Sequence, residues 1–301
     1  MKKTLSILFL GLVLFSCKKS EQTKEEPSKE PTKYQVKFSV SDFAATTTTM
    51  SSPATKSSLA VGDTLKNYAD NLYYRIYNAN GVWVNGIDQA STIAGFGTIT
   101  DALPTGTYSV FIAASKGTLS LADKSTLYSS GYYYPDYNQW NDTFSKTLTL
   151  TVGTTAVSQA VRLDRMVAGL QVVLEDAIPT AASKISIIVN PDQFSFRMNG
   201  TSYTPSEQKT IDFTLTAADK GVKNKSFNAY VANTTSATSV TIRAYNSTNN
   251  LIIEKTIANL TFEKSKRTVL TGSLFTSTSN SSAGFAVTVN PTWTNTTPVK
   301  F

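Results

Sequence analysis

The chain has 301 residues, a formal net charge of +7, one cysteine and no histidine. Without histidine it builds no Ser-His-Asp or Cys-His triad and no histidine metal site, and one cysteine forms no internal disulfide. The 28 Lys and Arg against 21 Asp and Glu lie in no basic helix and no arginine stripe, a pattern that supports solubility and weak attraction to an anionic surface, not nucleic-acid binding. No GxSxG, SxxK, P-loop or GxGxxG context stands out. Carboxylate-pair and Ser-Lys hydrolysis stay formally open. The composition reads as a non-enzymatic protein with no cofactor and no metal site.

Met1–Ser16 carries Lys2 and Lys3, then an apolar run from Leu5 to Phe15. That is the charged start and apolar middle of a signal peptide, too short to span a bilayer comfortably. The run ends in Leu14-Phe15-Ser16-Cys17, which resembles a bacterial lipobox, with Phe15 bulkier than usual. Cys17 is therefore the expected lipidation site, a palmitate-bearing anchor in the outer membrane. The alternative is an ordinary secretory peptide with an incidental cysteine. Residues 18–33, KKSEQTKEEPSKEPTK, hold no apolar residue beyond two prolines. They cannot bury enough surface to fold and read as a tether, so 17–33 form one lipidated, disordered unit. Lys24-Glu25-Glu26 faintly resembles the acidic signals that send some lipoproteins to the outer leaflet.

From Tyr34 the chain is rich in Thr, Ser, Val, Ile, Tyr and Phe with period-two alternation. A first strand is expected at 36–40. Leu72, Tyr74 and Ile76 then share one face, and Tyr73, Arg75 and Tyr77 the other. Asn80-Gly81 turns the chain back into Val82-Trp83-Val84, a hairpin signal. Pro104-Thr105-Gly106 turns into Thr107–Ile112. Ser120–Tyr128 has room for one or two helical turns. Further strands are expected at 147–152, 156–163, 166–174, 184–189, 194–198, 211–215, 227–231, 239–245, 251–257, 268–275 and 285–290. Asn199-Gly200 and Asn249-Asn250 mark two more hairpins. So many short strands predict an all-β protein of two sandwiches, at 34–163 and 164–301. Residues 46–58 and 276–283 are low-complexity and read as loops.

Residues 128–144, YSSGYYYPDYNQWNDTF, pack aromatics among Gly, Pro, Asn and Asp. Tyr132, Tyr133, Tyr134, Tyr137 and Trp140 are the candidate recognition residues, because flat rings stack on ligands and amides hydrogen-bond to them. The other reading is that alternate rings pack on the end of the sandwich. Trp83 and Trp293 fall in expected strands and read as core.

In order, the lipobox, the tether, Leu72–Val84 (LYYRIYNANGVWV), Leu103–Ala114 (LPTGTYSVFIAA), Val161–Leu174 (VRLDRMVAGLQVVL) and Ile257–Phe275 (IANLTFEKSKRTVLTGSLF) resemble the fimbrillin superfamily. The closest likeness is to the FimB-type lipoprotein anchors and minor subunits of type V fimbriae. The resemblance covers nearly all of 34–293. It implies two tandem transthyretin-like β-sandwich domains at the cell surface. It also implies partner subunits of the same superfamily, joined by donated β-strands that fill a groove of unpaired backbone and apolar pockets. Phe285, Val287 and Val289 form the candidate donor strand, unless that strand completes its own sheet. In polymerising relatives an arginine-specific protease removes the N-terminal strand. Here Arg75 is the first arginine after Cys17, which favours a permanently tethered anchor or minor subunit, although Lys33, Lys37 and Lys56 leave a lysine-specific cut open. A surface lipoprotein that binds a glycan or protein adhesin through the aromatic loop is the second expectation.

Overall fold

The computed structural model describes residues 30–43, 63–122, 126–135, 139–201, 205, 207–276 and 285–290. Contacts divide the chain into Met1–Pro31 and Thr32–Phe301. Of the first unit only Glu30 and Pro31 are described, and both are exposed. The signal peptide, Cys17, most of the tether, residues 46–58 and Trp293 lie outside the described residues.

The second unit is almost entirely strand. Its first half holds β1 (Lys33–Phe43), a short helix α1 (Asp63–Tyr68), β2 (Asn71–Asn78), β3 (Trp83–Ala90), β4 (Thr98–Pro104), β5 (Gly106–Ser115), β6 (Ser120–Ala122), β7 (Gly131–Tyr133), β8 (Thr143–Val152) and β9 (Val157–Arg165). Seven of these strands form one sheet in the order β3-β2-β5-β8-β9-β1-β4. β8 and β9 pair only at Phe144/Arg165 and Ser145/Asp164. The sheet folds over at that weak join, so β3-β2-β5-β8 faces β9-β1-β4 across an apolar core. Val36, Phe38 and Val40 of β1 meet Leu72, Tyr74 and Ile76 of β2 and Val110 and Ile112 of β5 there, with Leu65 of α1 among them. β1 is central, parallel to β9 and antiparallel to β4.

The second half holds β10 (Ala168–Leu174), β11 (Lys184–Asp192), β12 (Phe196–Arg197), β13 (Glu207–Thr214), β14 (Lys225–Val231), β15 (Thr238–Tyr245), β16 (Leu251–Leu260), β17 (Arg267–Gly272) and β18 (Phe285–Asn290). Two four-stranded sheets, β14-β10-β17-β18 and β13-β11-β15-β16, pack face to face. Between them lie Leu170, Val172, Leu174, Phe227 and Leu270 on one side, and Ile185, Ile187, Val189, Val240 and Ile242 on the other. The protein is thus all-β, with two tandem sandwiches. The expected break at 163 falls inside β9, and the change of sheet follows Arg165.

Turn chemistry fixes the hairpins. Asn78 Oδ1 accepts the backbone N–H groups of Asn80 and Val82, both at 3.0 Å. Gly81 takes a positive φ of 73° at no steric cost. Asn246 plays the same part between β15 and β16, accepting from Thr248 and Asn250 at 3.1 and 2.8 Å, with Asn249 at φ 60°. Asn199-Gly200 is a turn but not a hairpin: β12 before it pairs with β7, and β13 after it pairs with β11. Of Ser120–Tyr128, residues 123–125 lie outside the described residues. The segment opens as β6, and one 3-10 turn covers Leu127–Ser129.

β2 explains a feature that alternation alone does not. Six consecutive residues, Leu72–Tyr77, are buried. One face meets the first core. The other is covered by a three-stranded layer, β12-β7-β6, which draws strands from both halves of the unit. Trp83 is not core. It lies on edge strand β3 and is 36% exposed. Its indole rests over Gly86, where an added Cβ would lie 2.6 Å from the ring, beside the Arg75 guanidinium at 5.7 Å from the centroid.

Candidate functional site

The aromatic segment lies at the seam between the two sandwiches, with Tyr132, Tyr134 and Trp140 turned inward and Tyr128 68% exposed. Tyr132, Tyr134 and Trp140 are buried, together with Phe111 from β5 and Phe196, Met198 and Tyr230 from the second half. Tyr132 stacks on Phe196 at 5.6 Å and 28°, and Trp140 meets Phe196 edge-on at 5.0 Å and Tyr134 at 5.2 Å. Each polar handle has a partner. Trp140 Nε1–H donates to the Gln193 carbonyl at 2.8 Å. The Tyr132 hydroxyl shares a hydrogen bond with Ser145 at 2.9 Å, and the Tyr134 hydroxyl one with Thr143 at 3.0 Å. Burial pushes both phenols well above their ordinary pKa, so they stay protonated.

This corrects the expectation of an open aromatic surface at Tyr132, Tyr134 and Trp140. The polar residues between the rings signalled exposure, but the ring hydroxyls and the indole N–H are satisfied within the protein, so burial carries no unpaired-donor cost. Tyr133 is half-buried and stacks on Phe194 at 5.2 Å. Tyr137 lies outside the described residues. Phe194, Phe196 and Tyr230 were not anticipated at this seam. Phe196 and Tyr230 fell inside expected strands, and nothing in a strand's alternation says which ring will bridge two domains.

Two charged groups frame the seam. Arg165, at the end of β9, donates to Asp142 through Nε at 2.8 Å and Nη2 at 3.0 Å. The two side chains are each 2% exposed. Asp192, at the end of β11, accepts the backbone N–H groups of Ala232 and Asn233 at 3.0 and 2.6 Å. Burial pushes its carboxyl up to about 6, against those backbone donors and the Lys209 charge, which pull it down. The folded protein therefore holds this proton more tightly than the unfolded chain, whose Asp titrates near ~3.9. The contribution is fully present at low pH and is lost as pH rises from about 4 through about 6. Chemical-denaturation stability should fall across that window on account of Asp192, and Asp192→Asn should flatten that part of the profile. An unchanged slope in the variant would reject the assignment.

β18, the candidate donor strand, pairs antiparallel with β17 in its own sheet. Phe285 packs against the second core, under the Lys255 ammonium at 5.7 Å. Val287 and Val289 are 47% and 45% exposed. Among the described residues no cluster of His, Cys, Asp and Glu has the makings of a metal site, and no helix is long and apolar enough to cross a membrane.

Comparison with known proteins bears on the fold first. The fimbrial anchor protein Mfa2 of Porphyromonas gingivalis superposes with a TM-score of 0.51 at 11% identity, over 86% of this chain and 98% of that one. A Bacteroides thetaiotaomicron protein, described as a candidate polysaccharide binding protein of the DUF1812 type, gives 0.56 at 11%, over 87% and 96%. A candidate cell adhesion protein of Parabacteroides distasonis gives 0.51 at 14%, over 86% and 96%. The fold is therefore fimbrillin-like, as the ordered motifs implied. The chain belongs to the family of unknown function DUF6562, whose model matches residues 127–298, from the aromatic segment through the second sandwich. No curated protein matches the sequence.

Proposed function

We propose that this protein is a lipid-anchored, non-enzymatic fimbrial anchor or minor subunit on the outer membrane, with fimbrial subunits of its own superfamily as partners. One observation carries the reading. β1 sits between β9 and β4, and Val36, Phe38 and Val40 are fully enclosed. Each such side chain contributes about 1.5–3 kcal/mol on burial, so the first sandwich keeps this strand. The chain from Cys17 to Tyr74 has no arginine at which an arginine-specific protease could release it. The domains divide near residue 163.

A strand exchanged with a partner would be β18 rather than β1. β18 closes one edge of its sheet, and its Val287 and Val289 are half-exposed. The opposite flank, between edge strands β13 and β14, opens on a cavity of about 740 Å³. Phe213 and Phe227 line it, and its size and apolar floor suit an incoming strand. The glycan reading through the aromatic loop loses its support, because Tyr132, Tyr134 and Trp140 are enclosed at the seam.

The test is the protein's own N-terminus. Mass spectrometry of material from cells should find an acylated start at Cys17, and Cys17→Ala should move the protein out of the membrane fraction. A start beyond residue 45 in a repeating shaft would overturn the anchor reading.

A further inference from the structure

A polar cleft of about 350 Å³ opens at the seam of the two sandwiches, with one of the packed rings, Tyr132, in its lining. The first sandwich supplies Ser109 of β5, the β8 run Ser145–Thr149 and Asp164 of β9. The second supplies Arg197 of β12, the turn Asn199–Thr201 and Lys264 from the loop between β16 and β17. Tyr132 closes the floor with its hydroxyl held by Ser145. Clefts of this volume at domain junctions are common small-molecule sites.

The cleft's chemistry is one-sided. Lys146, Arg197 and Lys264 line it against a single carboxylate, Asp164, which Lys146 already holds at 2.7 Å. The Arg197 guanidinium donates to the Tyr128 carbonyl at 3.3 Å. Lys264 stands at the rim, with the Met166 sulfur at 3.9 Å. Its pKa is lowered by partial burial, with the Asp164 charge pulling the other way. The remaining groups are largely donors or hydroxyls. Asn199 spends its carbonyl oxygen on Thr201, through N–H at 3.0 Å and hydroxyl at 2.7 Å, which leaves its amino group to donate. Ser109 and Thr149 add hydroxyls along the same wall.

We infer that this cleft is a binding site for a carboxylate-bearing sugar residue, a uronic or sialic acid unit. The cations take the carboxylate through charge-assisted hydrogen bonds. The hydroxyls and the Asn199 amide take the ring hydroxyls. A bare inorganic anion uses only the first set, and a neutral sugar only the second. Among the described lining residues the one ring, Tyr132, is enclosed and offers no open face for a neutral pyranose to stack on, so the acid group supplies the discrimination. This site is independent of the fimbrial role.

The experiment is an NMR titration of the full-length protein with sodium glucuronate, N-acetylneuraminate, glucose and inorganic phosphate. The acid sugars should shift amide signals of Ser145–Thr149, Asn199–Thr201 and Lys264, while glucose and phosphate leave them in place. Raising the salt concentration should weaken binding. Lys264→Glu should weaken it by about tenfold or more with an unchanged melting temperature, and Thr149→Val should weaken it to a smaller extent. The inference falls if neither acid sugar binds, if phosphate or glucose matches them, or if Lys264→Glu binds as the parent does.

Discussion

Trp140→Ala lowers the unfolding free energy by about 3–5 kcal/mol, the cost of removing a large buried aromatic. The residue is 3% exposed and touches rings from both halves of the unit. Tyr134 lies at 5.2 Å on one side and Phe196 at 5.0 Å on the other. Truncation opens a cavity in the seam and also leaves the Gln193 carbonyl without the indole N–H that it accepts at 2.8 Å. Trp140→Phe is the milder change. It keeps one ring and loses the indole N–H with part of the buried volume, so it should cost less than alanine, about 1–3 kcal/mol. Because the ring joins two cores, the alanine variant should also split a single urea transition into two as the sandwiches uncouple. A loss below about 1 kcal/mol in the alanine variant, which is typical of surface positions, would mean that the ring is not the bridge described.

Alternation along β2 and β5 was legible because each strand faces a core on a strict two-residue period. Gly81 and Asn249 were legible because their turns need positive φ. β4 was missed: its seven residues, TITDALP, end in proline and carry Asp101 mid-strand, so they read as a connection. α1 was missed because one six-residue helix shows less than two turns of period. The aromatic segment left two readings open, packing and recognition, for a deeper reason. Its rings find their partners far along the chain, Trp140 at Gln193 and Tyr132 at Phe196. A polar handle looks the same in sequence whether its partner is water or a carbonyl fifty residues away. The cleft above the seam was silent too, since scattered Ser, Thr, Asn and Lys form no motif until the fold gathers them.

Asp142→Ala is expected to cost about 3–5 kcal/mol, because it strands the Arg165 guanidinium as an uncompensated buried charge. Both side chains are 2% exposed, so solvent cannot rescue the survivor. The carboxylate takes a fork of two N–H groups at 2.8 and 3.0 Å, while the guanidinium lies over the Phe144 ring at 4.9 Å. Arg267 sits near enough to feel Arg165: burial first, and then the Arg165 charge, lower its pKa. Removing Asp142 therefore takes away the carboxylate while Arg165 still feels the Arg267 charge, which Tyr230 partly offsets at Arg267. The pair also pins the start of β8 to the end of β9, where the folded sheet has only its two-residue join. Replacing both partners by apolar residues of similar size, Asp142→Leu with Arg165→Met, should recover most of the loss, since the large cost belongs to the unpaired charge rather than to the missing bond. Urea unfolding of the two single variants and the double variant measures this directly. A double variant as unstable as Asp142→Ala would show that the pair's geometry holds the β8/β9 join, and that charge compensation is the lesser part.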